Sequence, residues 1–253
     1  MTGLGDVALL VGAGLLAGVV GTAGGITSLI SYPALLAVGL PALSANVANI
    51  VALTACWPGS ALASQPELVG HRPWLGRWVP PSALGGAAGS LLLLSTPPGV
   101  FARVVPFLVA AGSLALLAQP WLAARHRRGR PSGAGGVVFP LGLITMSVYN
   151  GYFGAGSGVM ILALLLITSE PRLATANALK NMVLGAGTLL SAATFAVFGP
   201  VDWTAVAPLG LGMFFGSTLG PRVARRLPAP LLRWLVALIG IGLAVQLWIN
   251  PNG

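Results

Sequence analysis

One interrupted apolar unit occurs twice in the chain, and this duplication limits the fold more than any other feature. The first copy is residues 18–49, GVVGTAGGITSLISYPALLAVGLPALSANVAN, and the second is residues 151–181, GYFGAGSGVMILALLLITSEPRLATANALKN. Gly18, Gly21 and Gly25 align with Gly151, Gly154 and Gly158, and Ala45-Asn46 aligns with Ala176-Asn177 after a two-residue shortening. In each copy an apolar run reaches a cluster of glycines and small hydroxyl residues, a second apolar run follows, and an Ala-Asn pair opens a further helix. Glycine clusters are costly inside a helix. At membrane depth, unwound backbone is tolerated only where protein buries it or where it lines a water-filled cavity. Paired interruptions at matching places in two halves therefore point to the substrate site of a transporter.

The membrane setting follows from charge. Of 253 residues, 56% are hydrophobic and only 7% charged, with mean hydropathy +0.90, too few charges to clothe a soluble domain. The apolar runs are far longer than the alternating strands of a membrane barrel, so the spans are helices. The net charge of +9 does not indicate nucleic acid, because the arginines sit in short loops between apolar runs, where they fix topology. A single cysteine, Cys56, excludes an internal disulfide and a cysteine-based metal cluster; its bland reading is a small buried residue. The N-terminal MTGLGDVALL lacks the positive region of a signal peptide, so the first apolar run is expected to be retained.

The duplication extends beyond the glycine unit. Pro81, Gly85, Gly89 and Ser90 match Pro208, Gly212, Gly216 and Ser217 at an offset of 127; Pro98, Arg103 and Gly112 match Pro228, Arg233 and Gly242 at an offset of 130. The expected division is an N-terminal transmembrane repeat, residues 1–124, a basic cytoplasmic linker, 125–136, and a C-terminal repeat, 137–253. If each broken unit crosses the membrane once, the twelve arginines fall six to a side. If each is a hairpin that enters and leaves on one side, Arg72, Arg77, Arg125, Arg127, Arg128, Arg130, Arg172, Arg222, Arg225, Arg226 and Arg233 share a face and only Arg103 lies opposite. The positive-inside rule selects the hairpin. Each half then makes an odd number of crossings and the halves are inverted, with basic loops in the cytoplasm and both termini outside. The expected fold is an all-α polytopic membrane protein of two inverted-topology repeats, each a glycine-broken helical hairpin plus three transmembrane helices. Re-entrant and fully crossing hairpins give the same parity.

The polar residues narrow the chemistry. Asp6, Glu67, Glu170 and Asp202 lie at segment ends or in loops, and His71 and His126 lie in basic loops. This argues against a carboxylate proton relay and against a hydrolase, whose serine nucleophile needs a buried base. Lys180 is the one charge well inside an apolar run, and an anionic substrate is its natural counter-ion. The alternative is that it snorkels to the interface beyond Arg172. The breaks expose backbone N–H groups at half-helix starts, where the dipole favours an anion. Thr22, Thr27 and Ser28 flank the first break; Tyr149, Asn150 and Ser157 flank the second. Gly18, Gly21, Gly151 and Gly154 read more simply as helix contacts. Asn46, Asn49, Asn177 and Asn181 open matching helices and either bind substrate or cap and bridge helices. The seven tryptophans, mainly near run ends, read as an interfacial belt.

The motif GVVGTAGGITSLISYPALL and its second copy GYFGAGSGVMILALLL resemble the TauE/SafE family of sulfite exporters, also called sulfonate-uptake permeases, over the full length. Two departures stand out. The usual three glycines are reduced to Gly24-Gly25 in one copy and interrupted by Ser157 in the other, and Leu166 stands where the first copy has Pro33. The resemblance implies secondary transport of sulfite, a sulfonate or a related sulfur oxyanion in the cell (inner) membrane. The expected substrate contacts are Thr22, Gly24, Gly25, Asn46, Asn49, Gly156, Ser157, Gly158, Asn177, Lys180 and Asn181, with no catalytic residue, metal or cofactor. Expected partners are a small anion and membrane lipid, not nucleic acid; a homo-oligomer stays open. The rival readings are an anion channel and a non-transporting assembly partner.

Overall fold

A computed structural model of the chain describes residues 3–24, 27–126, 135–224 and 229–249, and these are helices joined by short turns. The first half holds α1 (Leu4–Gly24), α2 (Ser28–Ala37), α3 (Ala42–Leu53), α4 (Cys56–Ala63), α5 (Gln65–Leu68), α6 (Arg72–Ser95) and α7 (Pro98–His126). The second holds α8 (Gly135–Tyr152), α9 (Ser157–Thr168), α10 (Leu173–Phe198), α11 (Trp203–Ala224) and α12 (Ala229–Ile249). Among the described residues, three segments, Leu4–Gly21, Pro98–Ala118 and Leu173–Phe198, are long and apolar enough to cross a membrane. The basic stretch 127–134 of the expected linker lies outside the described residues.

Glycine places the long helices. A Cβ at Gly18 on α1 would lie 2.8 Å from Ser217 N on α11, and one at Gly212 on α11 would lie 2.8 Å from Leu15 N. The same seam recurs between α6 and α8, where a Cβ at Gly89 would lie 2.8 Å from Tyr152 N. Gly151 on α8 packs against the Gly86 carbonyl of α6, and Gly86 in turn faces the Gly187 carbonyl of α10. Gly18 and Gly151 are thus helix contacts, as the sequence suggested. Backbones come this close only where side chains are absent, and in lipid such packing is a principal source of helix association.

The packing order matches in the two halves. Helix α1 packs on α11 as α8 packs on α6; α2 packs on α1 and α12 as α9 packs on α8 and α7. Helix α10 lies against α6, and the α3–α4 pair lies against α11. Polarity runs inside out. Leu84, Phe107, Leu114, Leu141, Phe215 and Leu238 face outward, while Ser31, Asn46, Asn49, Ser82, Ser90, Ser191 and Ser217 are fully buried. That is the arrangement expected when the surroundings are lipid and the polar groups serve the interior.

Two irregularities of the first half have local causes. The apolar run at 43–63 is broken after Leu53, whereas its counterpart α10 is continuous. Pro58 cannot bond the Thr54 carbonyl four residues back, and the Thr54 hydroxyl donates to Val51 O at 2.7 Å, so the turn there opens. The polar connection that follows contains the short helix α5, with Pro66 in its first turn.

Candidate functional site

The second glycine break is built residue by residue. Helix α8 ends at Tyr152 and α9 begins at Ser157; Gly154 and Gly156 between them have φ of 83° and 77°, a left-handed backbone that a Cβ would penalise by about 1–2 kcal/mol. The Tyr149 hydroxyl donates to Ala155 O at 2.7 Å and secures the break. The Ser157 hydroxyl lies 2.8 Å from Asn150 Oδ1 and 2.7 Å from Gly154 O, and Asn150 Nδ2 donates to Thr188 Oγ1 at 3.2 Å. The start of α9 is thereby tied to both α8 and α10. At the first break, α2 begins at Ser28, and Gly21 leaves the space that the Thr27 side chain fills.

Both helix starts line one cavity of about 90 Å³, room for a small polyatomic ion or a few waters. Thr27 and Ser28 contribute from the first break, and Asn150, Gly154, Ser157 and Gly158 from the second. Helix α4 supplies Cys56, Trp57 and Ser60; α10 supplies Lys180, Asn181, Leu184, Gly185 and Thr188. Lys180 is 1% exposed, so it does not reach the interface. Its ammonium donates to Asn177 Oδ1 at 2.7 Å, one turn back along α10. No Asp or Glu appears among the described residues of the lining. The site therefore combines a cation and two helix N-termini, which favour negative charge, with neutral hydroxyls and amides.

The sulfite exporter TauE/SafE family model matches residues 8–247. The chain belongs to this family of membrane transporters. Similar proteins include a probable membrane transporter protein, ORF9, of Sinorhizobium sp, 28% identical over 251 residues, covering 97% of this chain and 93% of the relative. Another is a probable membrane transporter protein of Haemophilus influenzae, 28% identical over 253 residues, covering 97% of this chain and 95% of the relative. No solved structure matches the chain.

Within this TauE/SafE protein, the residues expected to bind substrate are divided between the cavity and its surroundings. Ser157, Gly158, Lys180 and Asn181 line the cavity, Gly156 caps α9, and Asn177 holds the Lys180 ammonium. Asn46 and Asn49 are buried outside the lining. Asn46 Nδ2 donates to Tyr152 O at the end of α8, over 2.9 Å, and Asn49 Oδ1 accepts from the Ser31 hydroxyl. Thr22 and Gly24 belong to the last turn of α1. The Thr22 side chain and all of Gly25 lie outside the described residues.

Sequence reasoning overlooked Trp57, assigned to a lipid belt, along with Ser60 and Thr188. A signal for Trp57 and Thr188 was present. The register pairing Asn46 with Asn177 also pairs Asn49 with Lys180, Leu53 with Leu184 and Trp57 with Thr188, one residue per turn. All but Asn49 of these last three pairs line the cavity.

Outside the cavity, Glu170 and Asp202 satisfy loops. Glu170, before α10, accepts from Arg172 Nε at 2.9 Å and Nη2 at 3.2 Å, and His71 Nε2 lies 3.6 Å away. The hydrogen bond from Arg172 holds the Glu170 carboxyl below its usual range. Asp202 accepts from the backbone N–H of Thr204 at 3.0 Å and caps α11.

Proposed function

We propose that the protein is a secondary transporter that moves a small sulfur-containing anion, sulfite or a related oxyanion or sulfonate, by alternating access. The observation that carries this reading is the cavity between two helix breaks, which holds a buried lysine and no carboxylate among the described residues lining it. A lone cation in such a place is functional by default, and an anionic cargo is the partner it lacks. Membership of the sulfite exporter family supplies the sulfur chemistry.

The repeats are inverted in this account, and the matched packing order of the halves supports it. So does their inequality of shape, since α10 is continuous where α3 and α4 are broken. Two states then arise when the halves exchange shapes around the central site. Asn46 Oδ1 and Asn49 Nδ2 have no hydrogen-bond partner among the described residues and complete the binding set after that exchange. Any proton coupling rides on the substrate's own protonation or on net charge movement, because no carboxylate lines the cavity among the described residues.

The test is uptake of labelled sulfite by proteoliposomes holding the purified chain, with imposed pH and voltage gradients. Saturable uptake that responds to either gradient is expected. Sulfite flux indifferent to both would end the coupling claim, and absence of flux would end the carrier reading.

A further inference from the structure

Among the described residues, the Trp57 indole is the one cavity-lining group whose buried polar atom has no hydrogen-bond partner. The residue is partly buried and lines the cavity. It rests on Gly185 of α10, where a Cβ would overlap indole carbon Cδ1 and nitrogen Nε1. Removing the side chain at residue 185 thus makes the slot that turns the indole inward. An indole N–H only donates, and a buried donor without an acceptor costs about 1–3 kcal/mol. Lys180, on the same lining, also only donates, and its ammonium carries three protons against the one bond to Asn177 described above. Two donor-only groups, one neutral and one cationic, fit a ligand rich in acceptors.

We propose that Trp57 Nε1 is a second substrate donor, which with the Lys180 ammonium binds the oxygens of one oxyanion group. The inference rests on the anion-carrier reading and deepens it by assigning a specificity residue. A donor of this kind selects for ligands that accept hydrogen bonds. An oxyanion of sulfur satisfies it, whereas a chloride ion has no separate oxygens to divide between the two donors. Gly185 acts through Trp57 as a positioning residue.

The experiment titrates sulfite and chloride against thermal unfolding of the full purified chain, in wild type, Trp57→Phe and Gly185→Ala. Phenylalanine keeps a ring on Gly185 and deletes the N–H; alanine at 185 keeps the N–H and displaces the ring. The expected result is that both variants need at least about tenfold more sulfite for the same stabilisation, about 1.4 kcal/mol in binding, with little change in the chloride response. Where Trp57→Phe fails to fold, Gly185→Ala carries the test alone. Unchanged sulfite affinity in the folded variants overturns the proposal and assigns Nε1 to a structural partner. A wild type that responds to no anion overturns the carrier reading as well, so the two failures are told apart.

Discussion

The Lys180 ammonium and the Asn177 amide oxygen are 2.7 Å apart, one turn from each other on α10, in a helix segment where Lys180 is 1% exposed. An amide orients the ammonium without neutralising it, so the charge remains available to a ligand. Removal of this charge separates binding from folding. Lys180→Met keeps the length of the side chain and relieves the desolvation of a buried cation. Its unliganded unfolding temperature is expected to match or exceed that of wild type, by about 1 kcal/mol or more in stability, while stabilisation by sulfite disappears. Thermal unfolding with and without sulfite measures both. A methionine variant that keeps the full sulfite response places the anion elsewhere.

Asn46 has the opposite expectation in this state. Its Nδ2 satisfies Tyr152 O at the end of α8, an otherwise orphaned helix carbonyl. Asn46→Leu is expected to lower stability by about 1–3 kcal/mol, because the carbonyl stays buried without a donor. Chemical denaturation in a mild detergent reads the loss. Wild-type stability together with lost transport would make Asn46 a ligand instead of a bridge.

The glycine seams predict a contrast between positions that look alike in sequence. Gly18→Ala and Gly89→Ala place a Cβ 2.8 Å from neighbouring backbone nitrogen, so the helices must separate. A cost of about 1–3 kcal/mol each is expected, as for overpacking in a soluble core. A Cβ at Gly12 or Gly242 meets nothing within 4 Å, so alanine there is expected to be neutral or to stabilise by about 0.5–1 kcal/mol. Unfolding temperatures of the four variants decide it. Equal behaviour of the four would contradict the seams.

At the loop before α10, the Arg172 hydrogen bond lowers the Glu170 pKa. A carboxyl depressed on folding contributes stability that is fully present above its ordinary range and is lost as pH falls through the depressed value. Glu170→Gln is therefore expected to lower the unfolding temperature at neutral pH and to flatten its fall in acid. A variant as acid-sensitive as wild type would show that other groups govern that window.

Much of this arrangement was legible in the chain because it is written in glycine and in charge. The duplicated glycines located the second helix break and two of the helix contacts, and the scarcity of charge placed the chain in a membrane. Lys180 drew attention as the lone cation of an apolar run. Other parts were hidden for physical reasons. Pro58 breaks the helix after Leu53, yet a proline in an apolar run also occurs in unbroken membrane helices. Trp57 looked like its six counterparts near run ends, and only the missing side chain at Gly185, more than a hundred residues away, turns it inward. Asn46 and Asn49 share a sequence register with Asn177 and Lys180, but register does not reveal which partners the fold supplies.

Counterflow tests the central claim most directly. Proteoliposomes loaded with unlabelled sulfite are diluted into a trace of labelled sulfite, with no imposed gradient of pH or voltage. A carrier with one alternately exposed site is expected to accumulate label transiently above the external concentration, and Lys180→Met to abolish the overshoot. Label that rises only to equilibrium, with Lys180→Met no different from wild type, would contradict an alternating site built around this lysine.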